Sequence, residues 1–211
     1  MNILVMAKAP VAGRSKTRLC PPCTPAEAAA LAEAALADTL ETVAATGARS
    51  VLALDGAPGP WLPPGFRVIP QRGSGFDERL ANAWDDTGGP AVQIGMDTPQ
   101  VTVALLEAAL GALAKPGTGA VLGPAADGGW WALGLRRPDR RTVLGVPMST
   151  SRTGAVQLRR LRSLGLRVAA LLELRDVDLF DDALAVAATV PSSRFGRVVH
   201  SLEIDTARIV S

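Results

Sequence analysis

The sequence predicts an α/β protein in which helices cover both faces of a mostly parallel sheet. Short apolar runs of strand type alternate with longer stretches of helical spacing along most of the chain. The three most polar loops, which are rich in glycine, aspartate and basic residues, lie at the carboxyl ends of such runs. Because ligands of open α/β sheets bind outside the carboxyl ends of the strands, we expect a functional site at these loops.

Length and composition limit the classes of function. The 211 residues fit one domain, and a hydrophobic share of 48% with a charged share of 20% excludes a disordered or collagen-like chain. The 22 basic residues are scattered among 20 acidic ones, so no nucleic-acid partner is expected. No apolar stretch reaches the roughly 18–20 residues of a membrane helix, and no basic segment precedes the apolar amino terminus. We therefore expect a cytoplasmic protein with no membrane partner.

Apolar runs and capping signals place the elements in order. Strands are predicted at residues 2–7, 50–54, 66–69, 91–95, 120–123, 130–135 and 168–171. Helices are predicted at residues 25–46, 76–86, 101–113 and 153–164. Thr24 is a favourable N-cap for the first helix, Pro25 suits its first position and Gly47 ends it. The predicted domain covers residues 1–190, and residues 191–211 are predicted to be a C-terminal extension packed on it, with an edge strand at 202–210.

The sequence gives little support for catalysis through a covalent enzyme intermediate. Cys20 and Cys23 stand in a proline-rich loop without a second ligand pair, so we expect free thiols and not a redox or zinc site. His200 is the single histidine, and no G-x-S-x-G segment occurs, so a serine or cysteine hydrolase is excluded.

A basic loop follows the first predicted strand. Lys8, Arg14, Lys16 and Arg18 fall within eleven residues, where cations and backbone N–H groups can converge on phosphate oxygens. The loop matches neither the Walker A pattern nor G-x-G-x-x-G, which removes the usual support for an ATPase or a hydride-transfer enzyme. A solvated basic loop explains the composition equally well.

Carboxylates follow two further strands. Asp97 stands directly after an apolar run, where a carboxylate can bind Mg²⁺ beside substrate phosphates. The alternative is that Asp97 or Thr98 caps a helix that begins near Pro99. Asp176 and Asp178 stand two residues apart, so on extended backbone their side chains point the same way.

Two other segments have polar residues at predicted turns. Asp127 and the glycine pair Gly128 and Gly129 precede Trp130 and Trp131, which could form the wall of a pocket, although a tight hairpin turn explains the same glycines. The second segment carries Gln71, Ser74, Glu78 and Arg79 at the start of a predicted helix, whose amino terminus could face an anion or simply be solvated.

Segments in a fixed order resemble a bacterial protein family. They are VMAKAP at residues 5–10, GRSKTRL at 13–19, IGMDTP at 94–99 and LGPAADGGWWALGL at 122–135. The family is the glycosyltransferase A-type group of poorly characterised nucleotide-diphospho-sugar transferase-like proteins, related to the molybdenum-cofactor and deazaflavin-cofactor nucleotidyltransferases. GFDERL at 75–80, VPMST at 146–150 and DVD at 176–178 continue the likeness, whereas Trp130, Met148 and Leu179 depart from the family's usual residues.

The resemblance implies the nucleotide-diphospho-sugar transferase fold, a single-domain three-layer α/β/α sandwich with a Rossmann-like sheet. The residues expected to bind the nucleotide are Ala7, Lys8, Ala9, Gly13, Arg14, Lys16, Arg18, Gln71 and Gly75. Those expected to bind the second substrate are Glu78, Arg79, Asp127, Gly128, Gly129, Ser149 and Thr150. By the same resemblance Asp97 and Asp178 would bind a divalent metal, Mg²⁺ or Mn²⁺, and Lys16 and Asp97 would be catalytic.

The resemblance also implies a reaction. In Mg²⁺-dependent nucleotidyl transfer, a small phosphorylated acceptor attacks the α-phosphate of a nucleoside triphosphate and pyrophosphate leaves. Lys16 and Arg18 favour this reaction, because a triphosphate has more charge to neutralise. The alternatives are a glycosyltransferase that uses a nucleotide sugar and a sugar acceptor, and a regulatory module that binds a nucleotide without turnover. The sequence is compatible with a homodimer.

Overall fold

The computed structural model describes residues 1–202, so the edge strand predicted at residues 202–210 lies outside the part described except for its first residue. The seven strands within residues 1–202 are β1 Asn2–Lys8, β2 Arg49–Asp55, β3 Arg67–Pro70, β4 Ala91–Ile94, β5 Ala120–Pro124, β6 Trp130–Leu135 and β7 Val168–Ala170. The helices are α1 Pro25–Ala45, α2 Phe76–Thr87, α3 Val103–Ala114, α4 Thr153–Ser163, α5 Phe180–Thr189 and α6 Arg194–Ser201. Each strand predicted inside this part is confirmed to within about two residues at its ends.

The seven strands of the described part form one sheet in the order β3-β2-β1-β4-β6-β5-β7. Strand β6 runs antiparallel to its neighbours β4 and β5, and the other neighbouring pairs are parallel. The chain moves outward from β1 to β2 and β3 and then returns to place β4 on the other side of β1. This reversal is a topological switch point, where loops at the carboxyl ends diverge and leave a crevice.

The two faces of the sheet are buried under different helices. In β1, Ile3 and Val5 face a cluster that includes α1 and α3, whereas Leu4 and Met6 face a cluster that includes α2 and α4. This arrangement follows from the two-residue period of a strand, since every second side chain points to the same face. The predicted three-layer α/β/α sandwich with a mostly parallel sheet is therefore confirmed.

Local signals explain where the helices begin. Helix α1 starts with a capping box, in which Thr24 accepts from the backbone N–H of Glu27 and the Glu27 carboxylate accepts from the N–H of Thr24. Helix α3 begins at Val103, two residues later than predicted, because Thr102 is its N-cap. The interpretation of Asp97 or Thr98 as a helix cap is therefore wrong.

Helix α6 is absent from the sequence-based prediction. It packs on α1 and α5 through Phe195, which is fully buried, and Arg194 forms ion pairs with Asp38 and Glu41 of α1. The described part of the C-terminal extension thus lies on the rest of the fold, while a domain boundary near residue 190 stays a prediction. Among the helices in residues 1–202, none is both long and apolar enough to cross a membrane.

Candidate functional site

A cleft of about 570 Å³ opens at the carboxyl ends of the strands, at the switch point of the sheet. It brings together side chains from every motif that the sequence indicated. The predicted site residues that line it are Ala7, Lys8, Arg14, Lys16, Arg18, Gln71, Arg79, Asp97, Asp127, Gly129, Ser149, Thr150 and Asp178. Residues as far apart in the chain as Ala7 and Asp178 therefore share one site.

The centre of the cleft is an ammonium group held between two carboxylates. The Lys16 Nζ lies 3.1 Å from Asp97 Oδ2 and 3.1 Å from Asp178 Oδ1, and it also donates to the carbonyl oxygen of Val177. Only 14% of the Lys16 side chain is exposed. Burial acts to lower the pKa of Lys16, but the two carboxylates outweigh it and raise the pKa above its ordinary value.

Backbone contacts hold these groups in place. The N–H of Val177 donates to the carbonyl oxygen of Asp97 at 2.9 Å, which joins the segment before Asp178 to the end of β4. Lys16 has a φ of +48°, a conformation that residues other than glycine rarely adopt. The fold therefore maintains a strained backbone at the residue whose side chain enters the centre of the cleft.

Asp176 is a third carboxylate at this centre. Its Oδ1 is buried and has no hydrogen-bond partner among the described residues. Burial, followed by repulsion from Asp97 and Asp127, raises the pKa of Asp176 to about 8. The sequence pattern paired Asp176 with Asp178 on one side of the chain, but it gave no sign of this burial.

Two of these carboxylates suit a divalent metal. No group of three or more His, Cys, Asp or Glu side chains in residues 1–202 is arranged to hold a metal ion by itself. Asp97 and Asp178, however, converge on a single cation, the Lys16 ammonium. Mg²⁺ is commonly held by one or two carboxylates together with water and substrate phosphates, so this pair fits an ion whose coordination a substrate completes.

One side of the cleft is basic. We call this side the cation wall, and its members are Lys8, Arg14, Lys16, Arg18 and Arg79. Arg18 pairs with Asp178 at 3.2 Å, whereas the Arg14 side chain is exposed and makes no hydrogen bond or ion pair within the described part of the chain. Such side chains can neutralise a phosphorylated substrate.

Asp55 is a site residue that the sequence analysis missed. Its Oδ2 lies 3.1 Å from Arg79 Nη1 and 4.0 Å from Lys8 Nζ, so it orients two members of the cation wall. Its position could have marked it as a candidate, because Asp55 ends β2, the strand that lies next to β1. Carboxylates at this edge of a parallel sheet are candidates for a site.

The basic loop is shaped by contacts that the prediction did not include. The Ser15 hydroxyl donates to the carbonyl oxygen of Ala9 at 2.9 Å and accepts from the N–H of Val11 at 3.1 Å. Ala9 and Gly13 do not line the cleft, and their predicted contact with the nucleotide stays a prediction. Ala9 is packed so closely on Gly56 that a Cβ at residue 56 would lie 2.6 Å from the Ala9 Cβ, and Gly13 forms an exposed turn with a φ of +74°.

Of the polar residues at the start of α2, some line the cleft and others do not. The Gln71 side chain lines the cleft and donates to the carbonyl oxygens of Ala7, at 2.8 Å, and Ala53, at 3.0 Å. Gly75 and Glu78 do not line it, and their predicted roles in binding stay predictions. Gly75 is the N-cap of α2, and the Glu78 carboxylate accepts from the N–H of Ser74, which stabilises the turn before the helix.

The part of the cleft lining that comes from the β5–β6 turn and from the segment before α4 carries no basic residue among those described. We call this part the hydroxyl wall and define it by Asp127, Trp130, Ser149 and Thr150. Asp127 lies in the turn between the antiparallel strands β5 and β6, so the hairpin turn and the pocket wall are both present. Two polar groups of this wall lack a protein partner in the described part: the buried indole N–H of Trp130 and the hydroxyl of Ser149, whose φ is +57°.

Glycines join the two segments of the hydroxyl wall. Gly128 does not line the cleft as predicted, because it packs against the backbone of Ser151, where a Cβ would lie 2.1 Å from the carbonyl oxygen. The N–H of Gly154 donates to the Gly128 carbonyl at 2.9 Å. The β5–β6 turn and the segment before α4 are thereby fixed against each other.

The cysteines lie outside the cleft, and both are free thiols, as expected. Burial, with smaller contributions from Glu27 and Cys20, raises the pKa of Cys23 to about 11. The His200 Nδ1 contacts the carbonyl oxygen of Gly196 within α6, outside the cleft lining. The described residues therefore offer the cleft no cysteine or histidine nucleophile.

Comparison with protein families supports an assignment. Residues 28–150, more than half of the chain, match the family described as an uncharacterized protein conserved in bacteria (DUF2064). The chain belongs to this family. A search of curated proteins found no match for the DUF2064 chain.

Solved structures agree with the fold. A protein from Desulfovibrio desulfuricans G20, provisionally assigned as a nucleotide-diphospho-sugar transferase, is 25% identical with a TM-score of 0.84, and the match covers 94% of this chain and 93% of that one. The 2-C-methyl-D-erythritol 4-phosphate cytidylyltransferase of Thermus thermophilus is 17% identical with a TM-score of 0.54, covering 90% and 98%. The glucosyl-3-phosphoglycerate synthase of Mycobacterium tuberculosis, solved with Mn²⁺, UDP and phosphoglyceric acid, is 14% identical with a TM-score of 0.52, covering 92% and 78%. The fold therefore belongs to a group that includes nucleotidyltransferases and glycosyltransferases, while a relation to molybdenum-cofactor or deazaflavin-cofactor enzymes stays a prediction.

Proposed function

We propose that this DUF2064 protein is a Mg²⁺-dependent nucleotidyltransferase that joins a nucleoside monophosphate to a small phosphorylated acceptor and releases pyrophosphate. The observation that carries the proposal is the convergence of the cation wall with Asp97 and Asp178 at the switch point of the sheet. Phosphates and a divalent metal are the ligands that this combination of groups recognises. The cytidylyltransferase from T. thermophilus, by its name, carries out a reaction of this type on a similar fold.

The residues of the cleft have distinct roles in this proposal. Arg14, Arg18 and Lys8 bind the phosphates of the nucleoside triphosphate. The exposed guanidinium of Arg14 can do so without breaking a hydrogen bond or ion pair to any of residues 1–202. Asp97 and Asp178 hold Mg²⁺, which supplies charge neutralisation at the reacting phosphate when it is bound. Mn²⁺ in the structure of the glucosyl-3-phosphoglycerate synthase supports the use of a divalent metal.

The reaction needs no covalent enzyme intermediate. An oxygen of the acceptor phosphate attacks the α-phosphorus, a new P–O bond forms, and the bond between the α-phosphorus and the bridging oxygen breaks. The electron pair of that bond leaves with pyrophosphate. Catalysis then comes from positioning and from neutralising the charge of the leaving pyrophosphate, which agrees with the lack of a cysteine or histidine nucleophile in the described cleft.

A second candidate function is glycosyl transfer from a nucleotide sugar. The hydroxyl wall favours it, because a carboxylate, hydroxyl groups and an indole ring without any basic side chain suit a neutral polyhydroxylated group. In that reaction the same metal and cation wall would hold the leaving nucleoside diphosphate. The cation wall has five basic residues, and a triphosphate has more negative charge to neutralise than the diphosphate of a nucleotide sugar. The cation wall therefore favours the first candidate.

The test is an assay of pyrophosphate release. The purified protein is incubated with Mg²⁺, each of the four ribonucleoside triphosphates and a panel of small phosphorylated acceptors. We expect release that requires both an acceptor and Mg²⁺. In Asp97→Asn the rate should fall by at least about a hundredfold, because one metal ligand loses its charge.

The matched control is Asp181→Asn. Asp181 is an exposed acid in the first turn of α5, close to Asp178 in the chain but outside the cleft lining. The Asp181→Asn variant should therefore release pyrophosphate at the wild-type rate. Release of a nucleoside diphosphate from a nucleotide sugar, without pyrophosphate release from any triphosphate, would replace the proposal by glycosyl transfer. Nucleotide binding without turnover on either panel would contradict both.

A further inference from the structure

The Lys16 ammonium occupies the place between the two carboxylates that the proposed function assigns to a metal. It makes three contacts there, with Asp97 Oδ2, Asp178 Oδ1 and the Val177 carbonyl, and little of the side chain is exposed. An ammonium and a divalent cation cannot both stand between the same two carboxylates. The charge of the two carboxylates is therefore already partly neutralised by the protein's own cation.

Bound phosphates would offer the Lys16 ammonium a second set of partners. The Lys16 backbone belongs to the basic loop, so the side chain starts from the same short segment as Arg14 and Arg18. Phosphates bound by these neighbours would lie within reach of the same segment and could accept from the ammonium. In the absence of phosphates, an ammonium that left the carboxylates would lose all three of its contacts.

We propose that Lys16 acts as a resident counter-ion that excludes the divalent metal from Asp97 and Asp178 until substrate phosphates give its ammonium another partner. This inference rests on the proposed function, since it takes the metal and the phosphates from it. It makes metal binding and phosphate binding mutually favourable, because each ligand reduces the cost of displacing Lys16 for the other. The free protein should accordingly bind the metal weakly.

The first test measures Mn²⁺ binding to the nucleotide-free protein by the electron paramagnetic resonance signal of the free ion. Lys16→Met keeps an unbranched side chain that is one atom shorter than lysine, and it removes the charge. We expect it to bind Mn²⁺ at least about tenfold more tightly than the wild type, because the competing cation is gone. Thermal unfolding of each variant checks that it is folded.

The matched control is Lys8→Met, which removes the same charge from the same cleft. The Lys8 ammonium lies 4.0 Å from Asp55, not between Asp97 and Asp178. The affinity of the Lys8→Met variant for Mn²⁺ should stay within about threefold of that of the wild type, because the lost charge lies farther from the metal site. Equal gains in the two variants would overturn the proposal and point to general electrostatics. An unchanged or lower affinity in Lys16→Met would also overturn it.

A second test uses the wild-type protein and does not depend on the folding of a variant. The chain has three lysines, and limited acylation with acetic anhydride can be followed at each of them by mass spectrometry. Saturating Mn²⁺ together with inorganic tripolyphosphate should change the acylation rate of Lys16 several-fold, while exposed Lys115 serves as the internal reference. An unchanged rate at Lys16 under conditions in which Mn²⁺ is bound would show that the ammonium is not displaced.

The outcomes separate this inference from the proposed function. If Asp97→Asn abolishes Mn²⁺ binding and pyrophosphate release but Lys16→Met binds Mn²⁺ no more tightly than the wild type, the metal site stands and the counter-ion role fails. If Lys16→Met binds Mn²⁺ tightly and no triphosphate is turned over, the counter-ion role stands and nucleotidyl transfer fails.

Discussion

The two walls of the cleft differ in both charge and construction. The cation wall takes most of its members from one continuous segment, residues 8–18, whereas the hydroxyl wall combines two segments that are about twenty residues apart in the chain. Strand β4, which ends before Asp97, separates the two halves of the sheet that carry them. We propose a division of labour, in which the phosphates bind at the cation wall and the uncharged body of the second substrate binds at the hydroxyl wall.

The first prediction concerns how the hydroxyl wall is assembled. In Gly128→Ala the new Cβ would meet the Ser151 carbonyl oxygen at 2.1 Å, and the φ of +87° is unfavourable for alanine. We expect a loss of about 3 kcal/mol in the free energy of unfolding, from steric overlap and the left-handed backbone together. Urea denaturation measures this loss.

Gly13→Ala is the matched control on the cation wall side. Residue 13 also has a positive φ, of +74°, but nothing lies within 4 Å of its added Cβ. It should lose only about 1 kcal/mol, which is the cost of the backbone conformation alone. Equal losses in the two variants would show that the contact between Gly128 and Ser151 does not hold the hydroxyl wall together.

This difference in construction also explains what the sequence can and cannot predict. The basic loop is recognisable because four cations stand close together after a strand, and Asp97 because it directly follows one. The roles of Asp55 and Asp176 depend on which strands become neighbours and on burial, neither of which a local pattern contains. For the same reason the sequence does not show that Gly128 packs on Ser151 or that Glu78 stabilises its own turn, so that neither lines the cleft.

The helices of the fold show the same difference between local signals, which the sequence reveals, and contacts with distant residues, which it does not. Helix α1 is predicted to within one residue because its capping box and its terminating glycine are local signals. Helix α6 is missed because it has only eight residues and is stabilised by contacts with distant residues, such as the ion pairs of Arg194 with α1. A short helix of this kind depends on tertiary packing more than on its own propensity.

The second prediction separates binding from folding on the cation wall. Arg14→Met removes a guanidinium that makes no hydrogen bond or ion pair with the described residues, so the free energy of unfolding should change by less than about 0.5 kcal/mol. The loss of a charged hydrogen bond to a phosphate should raise the KM for the nucleoside triphosphate by about tenfold to a hundredfold. Steady-state kinetics with varied triphosphate at a saturating acceptor concentration measures this change. A rise confined to the KM for the acceptor would assign Arg14 to the other substrate.

The last prediction uses two neighbouring tryptophans of the hydroxyl-wall side. The Trp130 indole N–H is buried without a partner in the described structure, whereas that of Trp131 donates to the Leu172 carbonyl at 2.8 Å. Trp131→Phe should therefore lower the free energy of unfolding by about 1 kcal/mol, because a hydrogen bond is lost. Trp130→Phe should leave it unchanged or raise it slightly, because a buried donor without a partner costs stability.

Activity should respond in the opposite sense to stability. If the Trp130 N–H is kept for the second substrate, Trp130→Phe should raise the KM for the acceptor by about fivefold while the KM for the nucleotide stays the same. A variant that gains stability and loses affinity for one substrate identifies a polar group maintained for binding at the expense of the fold. If Trp130→Phe left both KM values unchanged, the unpartnered N–H would have no part in acceptor recognition, and the division between the two walls would rest on their charge alone.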